Sequence, residues 1–224
     1  MTRILYAALG ESDCEELGSG FLAQPVNAVS SLAFSVFGLA IIAWARSAPG
    51  LERTIRTWFG WLMVATGVGS FLFHGPQWPG AHFLHDITFL AAVVFVLTFN
   101  VVAAKGWNPR LGWIGFFATT VGAAVVLLIA PSSTNALTVI AVAGLVASEV
   151  VVHRVGGVDG RWYATALVLL VLALAGNAAG RTGSALCDPE SVFQAHGAWH
   201  VLAAGFLTAY FVATAGVRAH AMAR

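Results

Sequence analysis

The sequence predicts an all-α membrane protein with seven transmembrane helices in one domain that spans residues 1–224. Of these 224 residues, 58% are hydrophobic and only 9% are charged, and the mean hydropathy is +0.82. An ordinary soluble domain carries about 25% charged residues. The composition therefore excludes a soluble globular protein, and the net charge of +1 gives no basis for a nucleic-acid partner.

Each predicted helix is an apolar run close to the length that crosses a bilayer, about 20 residues. Backbone that faces lipid must be helical, because no water is present to bond its polar groups. The runs alternate with segments rich in charge, Gly or Pro, such as "RSAPGLER" and "HGPQWPGAH". In chain order they are 25–45, 58–73, 83–104, 111–130, 135–152, 162–179 and 194–217.

Residues 1–24 form an acidic tail before the first run. The apolar segment at its start is too short for the core of a signal peptide, so we expect the tail to remain in the mature protein. Seven crossings place the two chain ends on opposite sides of the membrane. All the basic residues except Arg3 and Arg181 fall on the side of the C-terminus, and basic residues mark the cytoplasmic side. The N-terminus is therefore predicted to be extracytoplasmic or lumenal.

Five polar residues share one membrane depth in this topology: Ser70, His74, Asp86, His196 and His200. Ser70 and His74 are four residues apart, as are His196 and His200, so each pair lies on one face of its helix. Unpaired polar side chains at membrane depth cost several kcal/mol each. A functional site at the outer face is the prediction that follows.

The three histidines match the pattern of a catalytic zinc site, in which three imidazoles leave the fourth position to water. Zinc lowers the pKa of bound water to about 7. Asp86 is then expected to accept the proton of that water, and Ser70 to donate a hydrogen bond to the oxyanion that forms on an attacked carbonyl.

Each of these residues alone has a simpler interpretation. An HxxxH pair in a membrane helix is often a structural hydrogen-bonding pair, and Ser70 suits a close helix contact. Asp86 suits a cap at the N-terminus of its helix. His82 and His85 are interpreted as interfacial loop residues, with His85 as the alternative third ligand. The glutamate of HExxH is absent, which excludes the soluble zinc-protease motif. Convergence at one depth favours the metal hypothesis.

Three stretches resemble the alkaline ceramidase family of seven-helix membrane hydrolases, whose superfamily includes adiponectin-receptor-like proteins. They are "DCEELGSGFLAQPVNAVSSLAF", "GVGSFLFH" with Asp86 after it, and "HGAWHVLAAG". The resemblance implies zinc held by His74, His196 and His200. It also implies hydrolysis of the ceramide amide, assisted by Asp86 and Ser70, and a lipid chamber among the helices.

The resemblance leaves calcium open. The family's N-terminal calcium-binding stretch carries Trp, Asn and Glu at the places where this chain has Asp13, Leu17 and Gln24. Calcium prefers several carboxylate or carbonyl oxygens. If it binds, the expected ligands are Asp13, Glu15 and Glu16.

Three other functions compete with amide hydrolysis. An ester-cleaving or phospholipid-remodelling hydrolase uses the same chemistry, since an activated water attacks either carbonyl. A lipid receptor with a structural zinc is non-catalytic. A proton-coupled transporter requires ionisable groups near the bilayer midplane, whereas here they cluster at the outer face.

The two cysteines, Cys14 and Cys187, both fall on the non-cytoplasmic side of the predicted topology, where disulfides form and persist. We predict that they pair and tie the tail over the mouth of the site; the alternative is two unrelated thiols. The C-terminal "VRAHAMAR" has no recognisable eukaryotic retention signal. With the alanine-rich composition, this favours a bacterial inner membrane over the endoplasmic reticulum or Golgi.

Overall fold

The computed structural model describes residues 10–222, with side chains to residue 218. Residues 1–9, which include Arg3, and residues 223–224, which include Arg224, lie outside the described residues. The described chain is helical apart from turns and one isolated bridge. Its helices are α1 Pro25–Ala45, α2 Gly50–His74, α3 Ala81–Lys105, α4 Pro109–Ile129, α5 Thr134–Val155, α6 Gly160–Ala179, α7 Ala195–Ala213 and α8 Ala215–Met222.

Six segments of the described chain are long and apolar enough to cross a membrane. They correspond to α1, α3, α4, α5, α6 and α7 continued into α8. The remaining long helix, α2, is less apolar because its first turns carry charged side chains such as Glu52 and Arg56. Apolar side chains on α4, α5 and α6 are widely exposed, for example Ile129 at 79%. The chain is therefore an α-helical multi-pass membrane protein, with apolar surface where lipid is expected.

The core of the bundle is built around α3 and α7, the two most buried of the candidate spans. α3 packs against α2, α4 and α5, whereas α7 packs against α1 and α6. Aromatic rings join these layers: Phe59 of α2 stacks on Phe211 of α7, with centroids 4.1 Å apart, and on Phe95 of α3 at 6.3 Å. Burial of large aromatic side chains contributes strongly to a helical core.

Small residues let α2 lie directly against both of its neighbours. A Cβ at Gly67 would meet Ser35 Oγ of α1 at 2.2 Å, and a Cβ at Gly69 would meet Leu84 O of α3 at 2.9 Å. Membrane helices approach closely where such small residues face each other. This packing brings His74, the last residue of α2, beside the beginnings of α1 and α3.

The helix bounds differ most from the predicted runs at two places. α2 begins at Gly50 rather than at residue 58, because an apolar run marks only the lipid-compatible part of a helix. The charged first turns are stabilised by an ion pair four residues apart, from Arg56 Nε to Glu52 Oε1 at 2.9 Å. The last apolar run, predicted to continue to residue 217, ends as α7 at Ala213, and α8 begins at Ala215.

The end of the bundle opposite the histidines is closed by the buried side chain of Arg218. Its guanidinium donates hydrogen bonds to Asn100 Oδ1 and Thr214 Oγ1, each at 2.9 Å, and to Phe211 O at 2.8 Å. Its Nε lies 3.7 Å from Glu52 Oε2. A buried cation is tolerated only with partners of this kind.

Candidate metal centre

Three buried histidines meet at one end of the bundle, which we call the ligand end. His74 ends α2, whereas His196 and His200 lie in the first two turns of α7. Each imidazole offers one ring nitrogen to the site, and these three nitrogens lie within 4.8 Å of one another. Among the described residues, no other group of three His, Cys, Asp or Glu side chains is arranged in this way. The structure thus brings together the three predicted ligands. His85, the alternative third ligand, is not part of this group.

Gln24 determines which nitrogen of His74 faces the site. Gln24 Nε2 donates hydrogen bonds to Gly10 O at 3.0 Å and to Glu15 O at 2.7 Å, so its amide oxygen points the other way. That oxygen lies 2.7 Å from His74 Nδ1. Because an amide oxygen only accepts, Nδ1 carries the proton and Nε2 keeps its lone pair. His74 Nε2 has no hydrogen-bond partner within the described part of the chain.

Ser30 of α1 orients His200 in the same manner. The Ser30 hydroxyl donates its one proton to Asn27 O at 3.1 Å, and its oxygen lies 3.0 Å from His200 Nδ1. When the proton is directed to Asn27 O, the hydroxyl oxygen accepts from Nδ1, and Nε2 of His200 is the nitrogen left for a metal.

His196 faces a carboxylate. Asp13 Oδ1 lies 3.4 Å from His196 Nδ1, an ion-pair distance without hydrogen-bond geometry, and 3.2 Å from Arg181 Nη1. Burial raises the pKa of Asp13 to about 6, while the nearby Arg181 acts in the opposite direction. A carboxylate only accepts, so it favours the tautomer of His196 with the proton on Nδ1.

The donor set fits a zinc ion better than a calcium ion. His74 and His200 each have a polar partner on Nδ1, and His196 faces the Asp13 carboxylate at 3.4 Å. Three imidazoles with supporting groups of this kind match the ligands of zinc sites in proteins. Calcium takes six to eight oxygen ligands. Among the described residues, no group of three carboxylates is arranged to hold an ion.

The tail carboxylates predicted as calcium ligands have partners within the chain or face solvent. Glu15 accepts hydrogen bonds from the backbone N–H groups of Val26 at 2.7 Å and Asn27 at 2.8 Å, so it caps α1. Asp13 is paired as described above, and Glu16 is exposed. Calcium binding by these residues stays a prediction.

Asp86 lies on α3 beside the histidine cluster and is held by three donors. Its Oδ1 accepts from His85 Nδ1 at 2.8 Å, and its Oδ2 accepts from Thr134 Oγ1 at 2.5 Å and lies 3.1 Å from His82 Nε2. α3 begins at Ala81, so the interpretation of Asp86 as the cap of α3 is wrong. The interpretation of His82 and His85 as loop residues is also wrong, because both lie in the first turns of α3.

Ser70 is buried one turn before His74, and its Oγ lies 3.5 Å from His200 Nε2. Ser70, Asp86 and His196 line a cavity of about 290 Å³. The same cavity has apolar walls formed by Phe34, Phe73, Phe89 and Trp199. Polar side chains and aromatic rings therefore line the same cavity.

The N-terminal tail is fixed across the ligand end. Cys14 and Cys187 form a disulfide, which confirms the predicted pairing. The backbone N–H of Cys14 also donates to Gly180 O at 2.8 Å, and that of Thr182 donates to Ser12 O at 3.0 Å. The tail and the loop after α6 therefore form one connected layer over the start of α7.

Four residues of the site were missed by the sequence interpretation. Gln24 and Ser30 orient two of the histidines, Thr134 binds Asp86, and Arg181 binds Asp13. One signal was present: "QPVNAVSS" places several polar residues at the start of a membrane helix, where each is costly unless it is used. Thr134 and Arg181 have no comparable signal.

Comparison of the chain with models of protein families, with curated proteins and with solved structures found no match.

Proposed function

We propose that the protein is a zinc-dependent hydrolase that cleaves the amide bond of ceramide or a related N-acyl lipid. The products are a sphingoid base and a fatty acid. The observation that supports this most directly is the convergence of His74, His196 and His200 beside a cavity lined by Ser70 and Asp86. A structural zinc has four protein ligands. Three ligands beside a cavity favour catalysis over a receptor with a structural metal.

The cavity suits an amphipathic substrate. Its aromatic lining residues offer contact to an acyl chain, and Asp86, Thr134 and Asn135 add polar groups to the same lining. A small number of polar groups in a largely apolar pocket is typical of sites that bind and orient such molecules. The exposed apolar surface of α4, α5 and α6 suits contact with membrane lipid, which is also the source of the proposed substrate.

Hydrolysis adds the elements of water across the amide bond, and the C–N bond breaks. Zinc supplies Lewis acidity and lowers the pKa of a bound water when it is present. In the proposed reaction, Asp86 accepts a proton from the attacking water and passes it to the leaving amine, with His82, His85 and Thr134 holding its carboxylate. Ser70 donates a hydrogen bond to the oxygen of the attacked carbonyl.

The proposed topology has seven crossings, with α2 as the seventh span. Basic residues lie at the ends of helices opposite the histidines, for example Lys105 at the end of α3. The ligand end is then extracytoplasmic or lumenal, and we favour a bacterial inner membrane. Single-cysteine variants in a Cys14→Ser, Cys187→Ser background test this: Glu190→Cys is expected to react with an impermeant thiol reagent from outside, and Ser47→Cys only after lysis. The reverse pattern contradicts the orientation.

The function is tested by metal analysis together with hydrolysis of matched N-acyl and O-acyl lipids. We expect about one zinc per chain and release of fatty acid from the N-acyl lipid. His74→Ala, His196→Ala and His200→Ala are each expected to lose metal and activity, whereas His153→Ala, at the opposite end of the bundle, is expected to keep both. Unchanged zinc in all three variants contradicts the site. Preferential cleavage of the O-acyl lipid identifies an esterase instead.

A further inference from the structure

Asp13 is a buried carboxylate that the proposed reaction does not use. Its side chain is 5% exposed, and its Oδ1 lies 3.4 Å from His196 Nδ1, without hydrogen-bond geometry, and 3.2 Å from Arg181 Nη1. A buried charge is costly unless it is paired. A carboxylate on the second nitrogen of a ligating histidine fixes the tautomer and the orientation of that ring.

The position of Asp13 is determined by the loop between α6 and α7. Asp13 forms the isolated antiparallel bridge with Arg181, and the next residue is covalently bonded to Cys187. The backbone N–H of Cys14 binds Gly180 O at the end of α6. The carboxylate is therefore held from both sides by the layer that covers His196.

Arg181 gives Asp13 a second electrostatic role. Arg181 Nη1 lies 3.2 Å from Asp13 Oδ1, and its Nε donates to Asn177 Oδ1 at 3.1 Å. The guanidinium is thus restrained close to the histidine cluster, where a divalent cation would repel it. The carboxylate between them compensates that positive charge.

We propose that Asp13 is a positioning residue for the metal centre: it orients His196 toward the metal and screens the metal from Arg181, and the Cys14–Cys187 disulfide holds it in place. This inference rests on the proposed zinc site. Zinc retention then depends on the carboxylate and on the oxidised state of the two cysteines.

Zinc affinity, measured by competition with a chelator on the purified protein, tests the carboxylate. Asp13→Asn is expected to bind zinc about 10-fold to 100-fold more weakly than the wild type, the usual effect of removing such a contact. Glu11→Gln removes an exposed carboxylate from the same tail and is expected to leave the affinity unchanged. If the wild type binds zinc and Asp13→Asn binds it with the same affinity, the proposed role of Asp13 is overturned.

A second substitution separates positioning from general stabilisation of the tail. Adding Arg181→Gln to Asp13→Asn removes the uncompensated positive charge, so the double variant is expected to recover part of the lost zinc affinity. If Asp13 only stabilises the tail, loss of a second tail contact weakens binding further. A double variant that binds less tightly than Asp13→Asn therefore contradicts the screening role.

The role of the disulfide in zinc retention is tested on the purified wild-type protein. A phosphine supplies the two electrons that convert the disulfide to two thiols, and the rate of zinc transfer to a chelator is measured before and after. We expect faster release after reduction, and the Cys14→Ser, Cys187→Ser variant is expected to match the reduced protein. An unchanged rate after complete reduction, verified by thiol labelling, overturns this part. A wild type that binds no zinc refutes the proposed function itself.

Discussion

Gly180 lies directly against His196: a Cβ added to Gly180 would be 2.4 Å from the backbone nitrogen of His196 and 2.7 Å from its Cβ. The end of α6 and the start of α7 therefore approach each other as closely as backbone permits. The position of one predicted metal ligand depends on the absence of a side chain on the neighbouring segment.

Gly180→Ala is expected to displace His196 and to weaken zinc binding by about 10-fold or more, because ligands must be placed within fractions of an ångström. Zinc affinity of the purified variant is the measurement. Gly122→Ala is the control, since a Cβ at Gly122 on α4 meets nothing within 4 Å. Wild-type zinc affinity in Gly180→Ala would mean that the helices separate without moving the ligand.

Ser30→Ala is expected to reduce zinc affinity by about 10-fold to 100-fold, because His200 Nδ1 loses the oxygen that fixes its tautomer. The matched control is Ser47→Ala at the opposite end, whose hydroxyl donates to Trp44 O at an exposed site. Competition with a chelator gives both affinities. Equal losses in the two variants would show a general effect of serine removal rather than orientation of His200.

Asp86→Asn is expected to retain zinc and to slow turnover on the order of 10²-fold or more, since an amide does not accept the proton of the attacking water. Single-turnover lipid hydrolysis by metal-loaded protein is the measurement. Asp159→Asn serves as the control, because Asp159 caps α6 at the other end of the bundle. A metal-loaded Asp86→Asn enzyme with the wild-type rate would remove Asp86 from the reaction.

Arg218→Met is expected to lower the free energy of unfolding by about 3–5 kcal/mol, the usual cost of breaking a buried ion pair. The variant removes one of the two cations of the buried Glu52, which keeps Arg56, and leaves Asn100 without its donor. Thermal unfolding in detergent checks this, with the exposed Arg154→Met as control. An unchanged unfolding temperature would mean that water reaches Glu52 in the variant.

The histidine cluster was predictable because helical spacing and membrane depth are both properties of sequence. His196 and His200 share a face by their separation of four residues, and alternation of apolar runs brings His74 to the same end. The pairing of Cys14 with Cys187 followed from the same topology. The helix-cap interpretation of Asp86 failed because a local pattern does not show where α3 begins.

The sequence by itself determined the helical membrane class, the three clustered histidines and the cysteine pair, because apolar length and residue spacing constrain them directly. Only the tertiary structure decided which groups face the second nitrogen of each imidazole. Gln24, Ser30 and Asp13 reach the histidines across distances of many residues along the chain. Such contacts arise from side-chain packing between separate segments, and no local periodicity encodes them.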